Sequence, residues 1–330
     1  MMKVAVAGTG TMGQLHLEAL SKIHNVTISG IVGRNDETLT RLANIYHAKK
    51  FRTIEELVDS VDVDLIDICL PTHLHYEYVA KAAKAGKHII CEKPLGLRLE
   101  EIERMKNICD ENNVKLFAGH VLRFFPEYQD AREKILEEFV GKVGVVRLTR
   151  RGSYPQGKDR WYENEEKSGG VILDLGIHDF DWLQWTFGEV ERVMALRNTH
   201  TSENGEKIDC ALVSLRFKNG VIGLVDVAWA INEFEMSFEV SGKDGMLAYN
   251  SRTSNPINVA MNIKASSQTG VTVPDQILLK SPLQLQLEHF IHCLQENEEP
   301  LVTVEDAFKS VEIALAAIKS AQTGLPVTIS

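Results

Sequence analysis

Two stretches of this chain hold residues whose types and spacing suit nicotinamide chemistry. Val4-Ala5-Val6-Ala7 runs into Gly8-Thr9-Gly10-Thr11-Met12-Gly13, a short apolar strand followed by G-x-G-x-x-G. With a strand before it and a helix after it, the pattern has a mechanism. Gly8 permits the tight turn, Gly10 lets the backbone approach a pyrophosphate, and Gly13 lets the helix pack close. The helix N-terminus then faces the phosphates, with Thr9, Thr11 and Met12 completing the cradle. The second stretch, Ile89-Ile90-Cys91-Glu92-Lys93-Pro94, reads as a buried strand that delivers a Lys beside a Pro. Open α/β sheets bind ligands at that carboxyl edge. A dinucleotide held by the first stretch and a cation supplied by the second point to hydride chemistry on a hydroxyl or carbonyl.

The ribose end of such a site narrows the nucleotide. NAD sites carry an acid about 20 residues on, at the end of the second strand. Here that place is Gly33, followed by Arg34-Asn35. The missing carboxylate removes repulsion toward a 2′-phosphate, and Arg34 is suited to pair with one, which points to NADP. The competing reading makes Arg34 a solvated loop residue and gives the acid's role to Asp36.

The elements that must position these residues alternate regularly. Strands are expected at 3–7, 26–33, 64–70, 88–91 and 114–119. Helices are expected at 13–23, 37–46, 54–58 (capped by Thr53), 76–85 and 99–112. That is a repeated β-α-β pattern, so a doubly wound, mostly parallel sheet covered on both faces follows. After about position 122 the rhythm changes. Strands at 144–152, 190–198, 210–218, 221–230, 235–241 and 246–250 are joined by short links, with hairpin turns at Asn219-Gly220 and Asp244-Gly245. Helices are expected at 131–139, 171–187, 283–295 and 304–321, and a polar excursion at 251–276. The expected organisation is a Rossmann domain over residues 1–122. A second α/β domain with a large open, mostly antiparallel sheet spans 123–330. The C-terminal helices are able to pack back on the first domain.

Composition bounds the class. The chain has 330 residues, enough for two domains, and a net charge of −10. The charge argues against a nucleic-acid surface but leaves room for a small anionic ligand. The longest apolar run, 220–231, contains Asp226 and reads as a sheet strand rather than a membrane span. The chain enters its first strand at once, so no signal peptide is expected. Five widely spaced cysteines without C-x-x-C fit small core residues in a reduced, cytoplasmic protein. No metal site is expected, since His73 and His75 lack further ligands at suitable spacing. His289 and His292 read as helix-surface residues.

Further segments carry a resemblance. Pro71-Thr72-His73-Leu74-His75, Ala85-Gly86-Lys87-His88, Glu92-Lys93-Pro94 and the run from Gly169-Gly170 through Asp174 and His178 to Asp181 resemble one family. So do Gly242-Lys243-Asp244-Gly245 and the tail from Pro300 to Pro326. The family is that of the glucose–fructose oxidoreductase, inositol dehydrogenase and rhizopine-catabolism (Gfo/Idh/MocA) oxidoreductases. The resemblance covers nearly the whole chain. It implies hydride transfer between NAD(P) and a sugar, inositol or related polyol, and a C-terminal sheet that mediates homodimers or homotetramers. It also implies that Pro71, Thr72, His75, Glu92 and Lys93 line the cofactor with the glycine turn, and that Lys93, Asp174 and His178 meet the substrate. Gly33 departs from the NAD-using members, which puts cofactor choice in doubt and not the fold.

Oxidising a secondary alcohol needs a base for the hydroxyl proton. His178 is suited because imidazole titrates near neutrality. If 174–185 is one helix, Asp174 shares its face one turn earlier and orients the imidazole or binds a neighbouring hydroxyl. Lys93 stabilises alkoxide charge, or moves the proton itself if a dry pocket lowers its pKa. His178 is favoured as the proton carrier, with Lys93 the alternative. Arg123, Tyr154 and Trp161 are further substrate candidates. For Arg123 an interface ion pair competes with that role, and for Trp161 simple packing does. Two other functions keep the same cofactor site. One is an NAD-dependent glycosidase with no net oxidation. The other is a non-catalytic nucleotide or sugar sensor, disfavoured by the presence of Lys93, Asp174 and His178 together.

Overall fold

The computed structural model describes residues 1–201, 203, 205–253, 258–261 and 280–329. The chain divides into two compact units. Unit 1 comprises Met1–Phe124, Glu163–Ser168 and Lys280–Val311; unit 2 comprises Phe125–Tyr162, Gly169–Leu279 and Glu312–Ser330.

Unit 1 is built on strands β1 (Met2–Ala7), β2 (Val26–Val32), β3 (Lys49–Phe51), β4 (Leu65–Ile68), β5 (His88–Glu92) and β6 (Leu116–Gly119). Among the described residues they form one sheet in the order β3-β2-β1-β4-β5-β6, with every pair parallel. The central strands are apolar on both faces because both are covered: Val4 to Ala7 and Leu65 to Ile68 are buried without alternation. Helix Thr11–Ser21 turns Gly13, His16, Leu17 and Leu20 inward. It shares a core with Leu287, Phe290 and Ile291 of helix Pro282–Glu296, and Phe290 stacks on Phe117 of β6 at 5.0 Å. Each such fully buried side chain contributes about 1.5–3 kcal/mol. The C-terminal helix Pro282–Glu296 is therefore part of the Rossmann core. Thr53 caps helix Ile54–Ser60, accepting from the Glu56 amide. The strand β3 had no sequence signal, since three residues are too few to show a period of two.

Unit 2 is built on β7 (Val143–Gly152), β8 (Val190–Thr201), β9 (Lys207–Phe217), β10 (Ile222–Trp229), β11 (Glu235–Gly242), β12 (Gly245–Asn250), β13 (Asn258–Met261) and β14 (Val327–Thr328). Their order is β13-β12-β11-β7-β10-β9-β8-β14. The pairing is antiparallel except for β7 with β10, so the sheet is mixed. One face packs on helices Pro126–Leu136 and Ile177–Phe187. Trp182, Tyr128 and Phe238 meet there, and the Trp182 indole donates to the Tyr128 carbonyl at 3.0 Å. The other face carries Leu196, Leu212, Ile222 and Leu224, which are 65, 57, 38 and 38 % exposed.

The continuous helix expected at 171–187 is broken. Helix Gly170–Asp174 ends where the Leu175 and Gly176 amides both turn onto the Val171 carbonyl. The Gly176 carbonyl then starts helix Ile177–Phe187, accepting from the Asp179 and Phe180 amides. Most of the polar excursion at 251–276 lies outside the described residues. No helix among the described residues is long and apolar enough to cross a membrane.

Candidate active site

In unit 1 the candidate residues gather at the carboxyl ends of four neighbouring strands. The glycine turn follows β1, Arg34 follows β2, Pro71 to His75 follow β4, and Glu92-Lys93 close β5. This is the sheet edge where the strand order reverses.

The turn is shaped by contact as well as by conformation. Gly8 has φ +127°, and a Cβ there would collide with the Cys69 carbonyl oxygen. A Cβ at Gly13 would collide with the Gly8 carbonyl, so the helix can start only on a bare backbone. Gly10 is different: a Cβ built on it meets nothing within 4 Å. It is the N-cap of helix Thr11–Ser21, has no side-chain cap, and is followed by exposed Thr11 and Met12. Open space over a bare helix N-terminus fits a dinucleotide pyrophosphate.

The residues after β2 also fit. A Cβ at Gly33 would meet the Thr9 Cγ2 at 2.6 Å, so a side chain there requires Thr9 to move. The Asn35 side chain caps the next helix by accepting from the Thr38 amide. Asp36 pairs with Arg52 at 2.7 Å and Lys50 at 3.6 Å. Its carboxylate is thus matched within the unit. Arg52 also donates to the Arg34 carbonyl at 2.6 Å. His73, pushed down by burial, also feels the positive charges of Lys167 and Arg34. The edge from β2 to β4 is therefore basic.

Behind this edge lies a buried polar chain that sequence reasoning missed. His16 Nδ1 is 2.7 Å from Asp67 Oδ2 and its Nε2 is 3.0 Å from Glu92 Oε1. Glu92 Oε2 accepts from the Lys93 amide at 3.1 Å. His16 and Asp67 have no exposed surface. Burial pushes the His16 imidazole toward neutrality, but the Asp67 carboxylate beside it prevails and its pKa is raised. Burial likewise pushes Glu92 up, yet the hydrogen bond and charge of His16 hold its carboxyl below the ordinary range. The Asp67, His16 and Cys69 donor atoms lie within 4.8 Å of one another. Both His16 nitrogens are engaged with carboxylates, so the group is a hydrogen-bonded one. A signal was present: Asp67 is a charge inside an apolar strand, and a buried charge needs a partner.

His75 does not present its ring at the edge. It is fully buried, with Nδ1 2.8 Å from the Pro94 carbonyl and Nε2 2.8 Å from the Leu70 carbonyl. It clamps the loop after β4 to the turn after Lys93. Thr72 is also buried, Pro71 partly. Arg123, expected near substrate, is 2 % exposed; it donates to the Leu301 carbonyl at 2.8 Å and pairs with Asp306 at 3.2 Å. Its guanidinium clasps the segment after β6 to the start of helix Val304–Thr323, all within unit 1.

In unit 2 Asp174 is the last residue of its short helix and is buried, whereas His178 is the second residue of the next helix and is half-buried. They stand on successive helices, not one turn apart on a single face. Two ion pairs, one buried and one partly buried, hold these helices. Asp209 accepts from the Val171 amide at 3.0 Å and from Arg197 Nε and Nη2 at 2.8 Å each. Arg150 makes a two-pronged contact with Asp179, the neighbour of His178, at 2.9 Å and 2.9 Å. Burial opposes the Arg150 charge, but Asp179 holds the guanidinium protonated above its ordinary value. Tyr154 and Trp161 belong to one aromatic group: Tyr154 packs on Trp229, Trp161 stacks on Tyr162 at 3.8 Å, and Tyr162 packs on Trp229.

Comparisons with known proteins cover both units. The family model described as oxidoreductase family, NAD-binding Rossmann fold, matches residues 2–120. The model described as oxidoreductase family, C-terminal alpha/beta domain, matches residues 132–329. The chain is 30 % identical over 338 residues to a myo-inositol 2-dehydrogenase of Thermotoga maritima, covering 97 % of this chain and 96 % of that protein. It is 28 % identical over 340 residues to a scyllo-inositol 2-dehydrogenase (NAD(+)) of Bacillus subtilis, covering 99 % and 96 %. Its fold is similar to that of a levoglucosan dehydrogenase solved with NADH and L-sorbose, with TM-score 0.87 at 22 % identity over 100 % of this chain and 99 % of that one. A glycine turn, a Lys at the edge of β5 and two family models in the right order all agree, and the chain belongs to the Gfo/Idh/MocA family of oxidoreductases.

Proposed function

We propose that this protein moves hydride between NAD(P) and a secondary hydroxyl or carbonyl of a sugar, inositol or related polyol. The observation that carries the reading is the convergence of the open glycine turn, the basic β2–β4 edge and Glu92-Lys93 on one sheet edge. The turn from Gly8 to Gly13, Pro71, Thr72, Glu92 and Lys93 hold the dinucleotide. When bound, its nicotinamide supplies the hydride acceptor or donor. His178 takes the hydroxyl proton in the oxidising direction, and Asp174 orients it or binds a neighbouring hydroxyl. Lys93 stabilises the alkoxide or carries the proton in place of His178. Tyr154 and Trp161 wall the substrate. Arg34 pairs with a 2′-phosphate, a reading favoured by the engagement of Asp36 with Arg52 and Lys50.

Two properties of the whole protein complete the proposal. The exposed Leu196, Leu212, Ile222 and Leu224 on one face of the second sheet support self-association into a dimer or tetramer. The five free cysteines support a reducing, cytoplasmic setting.

The test begins with protein stripped of nucleotide and titrated with NADPH and NADH by fluorescence. Tighter NADPH binding supports Arg34 as the phosphate partner. A sugar and polyol turnover screen follows with the preferred nucleotide. His178→Ala and Lys93→Ala are each expected to lower turnover by about a hundredfold or more while nucleotide binding persists. Unchanged turnover in both variants sinks the mechanism, and bound nucleotide with no net reduction of any polyol favours the glycosidase chemistry.

A further inference from the structure

We propose that His16 is a positioning residue for Lys93: a doubly protonated imidazole, held between Asp67 and Glu92, that sets the Glu92 carboxylate against the Lys93 amide and so fixes the charged turn at the end of β5. The role assigned to Lys93 rests on the reading above; the charge state and geometry of His16 do not.

With both carboxyls ionised, the geometry calls for two donors. Both ring nitrogens face carboxylate oxygens, at 2.7 Å and 3.0 Å. Ionised carboxylates only accept. A neutral imidazole has one N–H, so it would turn a lone pair onto one carboxylate at direct contact distance. His16 and Asp67 are 0 % exposed and Glu92 5 %. Unmatched buried charge is costly, whereas a cation between two anions matches both contacts. The groups facing the ring are Asp67 and Cys69 from the β4 side and Glu92 from β5. The Cys69 thiol is pushed up by burial and stays protonated, so it adds no charge.

The consequence reaches the site through one covalent step. His16 sits one helical turn past Gly13, on the helix whose N-terminus faces the phosphates. Glu92, which it grips by one oxygen, gives the other to the Lys93 amide at 3.1 Å. The phosphate turn and the Lys93 turn are thus parts of one charged network. The Lys93 charge itself favours the Glu92 carboxylate. Removing the His16 cation leaves the two carboxylates uncompensated behind Lys93 and loosens the turn that holds it.

Selective labelling of the histidine nitrogens in the full chain gives a direct readout by NMR. The expected result is one imidazolium, with both nitrogens protonated, that persists well above neutral pH. In Asp67→Asn, which keeps an acceptor but removes its charge, that signal is expected to titrate at lower pH. The second readout is the rate of Lys93 trace acetylation by acetic anhydride at one fixed pH, from mass spectrometry of its peptide. His16→Gln is expected to change that rate by about threefold or more and to lower turnover by about tenfold, with affinity for the nucleotide that the wild type binds nearly retained. A wild-type protein in which no imidazolium outlasts neutral pH overturns the proposal without any variant. An unchanged Lys93 rate in a His16→Gln protein that still binds its nucleotide overturns it too. If the rate changes but Lys93→Ala turns over normally, the positioning stands and the catalytic reading of Lys93 falls.

Discussion

Three glycines of one turn serve three different needs, and substitution separates them. Gly8 combines a left-handed φ with a closed contact against the Cys69 carbonyl, so Gly8→Ala strains the fold by about 1–3 kcal/mol. Gly13 is closed by the Gly8 carbonyl. Gly10 has φ −74° and ψ −170°, open to any residue, and empty space where a Cβ would stand. Gly10→Ala is therefore expected to keep its stability within about 0.5 kcal/mol while losing binding of both NADH and NADPH, because the methyl occupies the approach of the phosphates. Thermal unfolding and the fluorescence titration on the same sample decide it. A variant that binds either nucleotide as wild type does would place the phosphates elsewhere.

Elements are tied by charges that sequence spacing cannot pair. Arg123, at the turn after β6, meets Asp306 in the first turn of helix Val304–Thr323. Asp306 also accepts from the Thr303 amide and hydroxyl, while the Thr303 hydroxyl accepts from the Asp306 amide, a reciprocal cap. Burial raises the Asp306 carboxyl, but Arg123 and these hydrogen bonds hold it below its ordinary value. A carboxyl depressed in the folded state contributes stability above its unfolded value and loses it as pH falls through the folded one. Asp306→Asn should thus cost about 1–2 kcal/mol near neutral pH, and the gap to wild type should close in acid. Denaturant unfolding at several pH values measures the gap; one that stays constant into strong acid would refute the pair. The same logic of long-range pairing explains the helix carrying His178, which is anchored by Arg150 from β7 rather than by neighbours in sequence.

At the scale of the molecule, the second sheet leaves Leu196, Leu212, Ile222 and Leu224 exposed on one face, interleaved with Arg216, Ser214 and Asp226. Leu196 of β8 lies opposite Leu212 of β9, and Leu224 of β10 lies beside Arg147 of β7. Arg147 pairs with Glu239 of β11, which gives the apolar centre a charged border. Apolar patches rimmed by polar groups mark association surfaces. Leu212→Asp is expected to reduce the particle mass in light scattering to that of one chain. It should leave unfolding of the monomer within about 1 kcal/mol of wild type, since Leu212 is already 57 % exposed. A wild-type protein that runs as a single chain at high concentration would remove this face from the proposal.

The chain's own order of residues determined the alternating strands and helices of the first unit, the hairpins of the second, and the glycine turn with Glu92-Lys93 at strand ends. These are local properties: a period of 2 or 3.6 and a turn residue act over a few positions. Gly33-Arg34 was legible for the same reason. Tertiary structure decided which polar groups meet. His16 finds Asp67 and Glu92 at separations of 51 and 76 residues, because the sheet order sets β4 and β5 beside the first helix. It engaged Asp36 with Lys50 and Arg52, turned the His75 ring onto two carbonyls, and gave Arg123 the ion pair that its sequence had left as one of two readings. It also broke the expected helix after Asp174, since closing hydrogen bonds onto Val171 and tethers to Asp209 and Arg150 outweigh the helical period. Periodicity records which face of an element is buried; only the packed sheet determines what that face meets.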